Sequence, residues 1–177
     1  MAESRTIPDS TAAALPFIAW SRIWSPVAPE PLRREAWEAL ELPGSFDELS
    51  AEFWSTFHIG SPSPRAPLLL HAALKLDGGH VREDWMRVMS HLQLRWDAFH
   101  LPPDQLGAAC EIYACAIDGQ EPVLIEELRR RYLLPWCRFA RQQLAQDESP
   151  LGFLPEQFEA DLLAVDAFSE PVGKGPR

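Results

Sequence analysis

Apolar positions recur along this chain at spacings of three and four residues almost throughout, and no run of roughly four to eight β-branched residues alternates with polar ones. The pattern predicts helices and no strands. Its clearest member spans 81–99, where Val81, Trp85, Val88, Leu92 and Trp96 form one stripe and Glu83, Arg87, Gln93 and Asp97 take mostly the other side. A second helix is expected from Pro102 and Pro103 to about Asp118, because proline in a first turn sacrifices no hydrogen bond. Its inward positions are Leu106, Cys110, Tyr113 and Ile117, and Gly119 ends it. A third begins near Glu121, carries Ile125, Leu128, Tyr132, Trp136 and Phe139 on one stripe, and ends around Gln146, with Pro135 expected to kink its middle.

Upstream, Ser45-Phe46-Asp47-Glu48 has the form of a capping box and predicts a helix start that turns Leu49, Phe53, Trp54 and Phe57 to the core. Shorter helices are expected over 11–24 and 31–42. The segment 60–67 reads as a proline-rich loop, 68–76 as a short helix after it, and Leu154, Phe158, Leu162 and Val165 as the stripe of a last helix. The short connection between the 81 and 103 helices predicts that they pack together. The fold class expected is all-α, a compact bundle of about seven or eight helices in a single domain over 1–168, with 169–177 a flexible tail.

Composition narrows the function classes. The 177 residues fit one core, and 46% apolar content suffices to fill it. A net charge of -10 repels phosphate backbones and anionic lipid, so nucleic-acid binding is not expected and a basic partner is favoured. No uncharged run approaches the roughly 20 residues that cross a bilayer, and the apolar stretch 12–20 is interrupted by Pro16 and lacks a cleavage site. Three cysteines without Cys-x-x-Cys spacing, Cys110, Cys115 and Cys137, suit a reducing cytoplasm and read as small buried hydrophobes. The expected location is cytoplasmic.

The search for catalytic chemistry is negative. Phosphate-binding loops, the dinucleotide fingerprint and the nucleophile elbow are absent, and the five histidines are too widely spaced to pair on adjacent turns of one helix. No metal or other cofactor is expected. Arg129, Arg130, Arg131, Arg138 and Arg141 wind around the third helix beside Glu126 and Glu127, which reads as a solvated face with intrahelical pairs. Asp104 is placed in the first turn of the second helix, where the dipole favours a carboxylate.

Pro103-Asp104-Gln105-Leu106 before a helix, then Tyr132-Leu-x-x-Trp136 and Phe139, resembles the TorD/DmsD/NarJ family of maturation chaperones for molybdenum oxidoreductases, whose signatures are Pro-Asp-His-Leu and His-Leu-x-x-Trp with a following Phe. Glu52-Phe53 and Phe57-His-Ile-Gly60, leading into a proline-rich loop, are similar to a further element of that family. The likeness covers about 45–144. It departs at Gln105 and Tyr132, which replace histidines, and at Leu69-Leu-His-Ala-Ala73, which replaces the family's Glu-Ser-x-Tyr. The resemblance implies a cofactor-free, non-enzymatic cytoplasmic chaperone, monomeric or homodimeric. It would bind the twin-arginine leader and the immature catalytic subunit of a molybdopterin oxidoreductase of the dimethyl-sulfoxide reductase superfamily, assisting cofactor insertion and delaying export. Asp104 would then engage the basic end of the leader and Trp54, Phe57, Tyr132 and Trp136 would line its apolar part, with Pro103, Gln105 and Leu106 also in the client-binding site. The alternatives left open are an assembly factor for a nitrate-reductase-type subunit, an unrelated helical adaptor and a helical enzyme without a motif.

Overall fold

The computed structural model describes residues 10–95, 97 and 100–165; the expected tail over 169–177 and the outer stripe position Trp96 lie outside them. In chain order the helices are α1 (Ser10–Trp24), α2 (Glu30–Ala39), α3 (Phe46–Phe57), α4 (Leu70–Leu74), α5 (Gly78–His91), α6 (Leu106–Asp118), α7 (Pro122–Leu128), a π turn (Arg129–Leu133), α8 (Leu134–Gln146) and α9 (Phe153–Ala164). Among the described residues there is no strand, only one isolated antiparallel bridge between Leu69 and Gln105. The all-α class is therefore the observed one.

Local chemistry explains most boundaries. The Ser45 hydroxyl accepts from the Glu48 N–H, and the Ser45 N–H donates to the Glu48 carboxylate, so the expected capping box starts α3. Asp77 caps α5 by accepting from the His80 N–H at 2.8 Å. Two expectations need correction. The helix expected over 81–99 ends at His91, because Gln93 adopts a left-handed φ of 57° that an α-helix cannot carry. The second helix opens at Leu106 and not at the prolines, because Gln105 takes the capping position and its side-chain oxygen accepts the N–H groups of Gly107 and Ala108.

At Pro135, where a kink is expected, the helix changes pitch. Pro135 has no N–H for the Arg131 carbonyl, and its ring would crowd that turn. The chain widens just before it, with the Leu134 N–H reaching back five residues to the Arg129 carbonyl, and α8 resumes with Pro135 in its first turn. From 122 to 146 the helical run is otherwise unbroken.

Trp24 is the centre of the core. Its ring lies 5.3 Å from those of Trp20, Phe57 and Trp136, 6.0 Å from Phe158 and 6.2 Å from Phe53, joining α1, α3, α8 and α9 in one aromatic cluster. The main partner of α6 is α1, antiparallel to it; α5 touches α6 only marginally, so the expected pairing of those two is a minor contact. The α1–α6 contact is close because Gly107 brings its backbone against Ser21 and Ser25, where a Cβ would come within 2.9 Å of the Ser21 oxygen and the Ser25 nitrogen.

Candidate functional site

The three segments that carry the sequence resemblance meet at one junction, built on the end of the proline-rich loop. Arg65 pairs with Glu52 and donates to the Thr56 hydroxyl at 2.9 Å, which ties the loop to α3. Two residues on, the Pro67 carbonyl accepts the Trp136 indole N–H at 3.0 Å. The Leu68 carbonyl accepts the Leu106 N–H at 2.8 Å, and the Leu70 N–H donates to the Asp104 carbonyl at 2.9 Å, forming the bridge between the starts of α4 and α6. Backbone groups that a loop would leave to water are satisfied here within the protein.

Asp104 is the polar centre of this junction and is completely buried. One carboxylate oxygen pairs with Nδ1 of His71 on α4, and the other accepts from Nε of Arg82 on α5 at 3.2 Å. The residue precedes the capping residue of α6, which corrects its expected place in the first turn. It is enclosed between the His71 imidazole and the Arg82 guanidinium and presents no surface to solvent. Gln105, also buried, donates its amide to the Trp24 carbonyl at 2.8 Å, and Pro103 and Leu106 are buried beside it.

The aromatic candidates divide. Phe57 and Trp136 belong to the cluster around Trp24, and Tyr132 is buried with its hydroxyl donating to Asp84 at 2.7 Å. Burial first, and then that hydrogen bond, push the Tyr132 phenol up to about 12. Reciprocally, the Tyr132 hydroxyl and then Arg131, at 2.6 Å, hold the Asp84 carboxyl below its ordinary value. These three rings belong to the core, which corrects their expected place on a binding surface. Trp54 alone stays partly exposed, with the Arg33 guanidinium 5.0 Å from its ring and His58 4.5 Å away. Burial, assisted by Arg33, lowers the His58 imidazole to about 4.

The basic run on the third helix is largely an exposed, paired face as expected, but of these pairs only Arg130 with Glu127 lies within the run; Arg131 meets Asp84 of α5 and Arg141 meets Glu159 of α9. Arg129 departs from it, being buried and paired with Glu126. Cys110 and Cys137 are buried and Cys115 half-buried, and desolvation raises all three thiols. Among the described residues no three His, Cys, Asp or Glu side chains gather as a metal site would require. His71 and Arg82, the partners of Asp104, were not singled out by sequence: they lie 33 and 22 residues from it, and no local spacing links them.

The fold and this junction define a compact helical protein organised around one aromatic core. No protein family, curated protein or solved structure matches the chain.

Proposed function

We propose that this protein is a cytoplasmic maturation chaperone for a molybdopterin oxidoreductase, one that binds the twin-arginine leader and immature subunit of its client. The observation that carries the reading is the convergence of the proline-rich loop, Pro103-Asp104-Gln105-Leu106 and Trp136 on one hydrogen-bonded junction. Three motifs matched by order and spacing in sequence are thus parts of a single structural unit. The net charge of -10 adds a long-range attraction for a cationic leader. Because Asp104 is enclosed, the junction is assigned the role of shaping the body, and the leader is recognised elsewhere on the surface.

The test is co-expression with the molybdenum oxidoreductase encoded nearest to this chain. Molybdenum per enzyme should fall severalfold when the chain is omitted, and the purified chain should bind the enzyme's leader peptide in calorimetry. Equal metal loading together with no heat of binding would exclude this function.

A further inference from the structure

At the end of the α1–α6 pair opposite Gly107, a groove of about 480 Å³ opens between the beginning of α1, the end of α6 and the end of α5. Its volume falls within the range of ligand-binding clefts, roughly 300 to 1,000 Å³. The floor is apolar: Leu15 and Ile18 from α1, Leu92 after α5 and Ala114 from α6. Leu15 is 60% exposed there, although it stands one residue from buried Ala14.

The rim is acidic. Asp118 ends α6, accepting from the Thr11 hydroxyl at 2.8 Å, and Glu121 follows three residues later, 3.3 Å from Nε2 of His91. Both carboxylates stand where the last carbonyls of a 13-residue helix already concentrate negative potential. The site therefore suits a cation joined to an apolar body. A second copy of this chain fits poorly, since a two-fold contact through the groove would set the acidic rims against each other. The segment 1–9 also fits poorly: it holds Glu3 and Asp9 against Arg5 and has no apolar run.

We infer that this groove is the leader-binding surface, with the leader's apolar run on Leu15, Ile18 and Leu92 and its paired arginines at Asp118 and Glu121. The inference rests on the chaperone reading, and deepens it by moving recognition from the Asp104 junction to the far end of α1 and α6. Arginine on carboxylate supplies charge-assisted pairing, and the apolar run supplies area.

The probe is a labelled synthetic peptide with two adjacent arginines followed by about a dozen apolar residues, titrated by fluorescence anisotropy into the full chain. Leu15→Asp places a charge on the floor, and the double change Asp118→Asn with Glu121→Gln removes the rim charge while keeping shape. Each should weaken binding at least tenfold, and raised salt should weaken the wild type more than the double variant. Leu163→Asp, at an exposed apolar position on α9 away from the groove, should bind like wild type. Helical circular dichroism confirms that each variant is folded. If the wild type binds and both groove variants bind equally well, the groove assignment fails while the chaperone reading stands. No binding by the wild type would overturn both. A wild-type dimer that Leu15→Asp dissociates, with peptide affinity unchanged, would make the groove a contact between copies and overturn the assignment.

Discussion

Asp104 shows how completely surroundings decide what a carboxylate does. On a surface it would lend charge to a partner; enclosed between His71 and Arg82, it joins α4 and α5 to the entry of α6. Asp104→Asn keeps the shape but removes the carboxylate that pairs with the Arg82 guanidinium and the His71 imidazole, so its loss falls on stability. Both partners keep some access to water, which moderates the usual cost of breaking a buried pair to about 2–3 kcal/mol. Chemical denaturation would read this as a lower midpoint, and an unchanged midpoint would mean that the pairing contributes nothing.

His58 carries a separate pH dependence. Its imidazole is held near 4 in the folded chain against an ordinary 6.5, so between those values the unfolded chain takes up a proton that the folded one refuses. Stability from this residue is complete above pH 6.5 and declines as pH falls toward 4, by up to about 3 kcal/mol. His58→Phe keeps a ring beside Phe53 and Trp54 and removes the proton site. Its stability should fall less than that of the wild type from pH 6.5 to 4.5, and parallel profiles would contradict the assignment.

At the scale of elements, Gly107 tests the α1–α6 contact. Gly107→Ala drives a methyl into the backbone of Ser21 in α1 and of Ser25 just after it, which cannot swing aside as a side chain would, and should cost about 3 kcal/mol. Gly152→Ala, whose Cβ would meet only ordinary contacts, should change the melting free energy by less than about 0.5 kcal/mol. Equal effects in thermal melts would show that the close approach is not limiting.

These elements also show what could be read from the sequence. The capping box at Ser45, the stop at Gly119 and the inward stripe of α6 follow from spacings of three and four within one helix, and they are found where expected. The early end of α5 was hidden because its apolar stripe continues past the point where Gln93 turns left-handed. The prolines at 102 and 103 resemble a helix start, whereas Gln105 takes the cap because it also reaches the Trp24 carbonyl, 81 residues away. The burial of Asp104 has the same origin: its partners lie in other elements, and single-helix periodicity carries no information about them.

For the molecule as a whole, the distribution of contacts sets a gradient of stability. α6 is packed along its length against α1, whereas α5 is fastened largely by side chains: Arg82 to Asp104, Asp84 to Tyr132 and Arg131, and Trp85 against the Tyr132 ring at 5.6 Å. Amide hydrogen exchange should therefore be faster in α5 than in α6, and Asp104→Asn should accelerate α5 selectively. Uniform protection across both helices would indicate one indivisible unit.

The central tryptophans have a consequence during synthesis. Trp20 and Trp24 leave the ribosome ahead of the residues that cover them: the Trp20 indole finds its acceptor, Asp161, 141 residues further along the chain at 2.6 Å, and Phe158 closes the same cluster from α9. At translation rates of about 5–20 residues per second, the pair waits roughly 7 to 28 seconds for its last cover. The apolar α1 must spend that interval as a sticky nascent segment, so slowing translation between Trp24 and Phe158 should cost more folded yield than slowing it before Trp20.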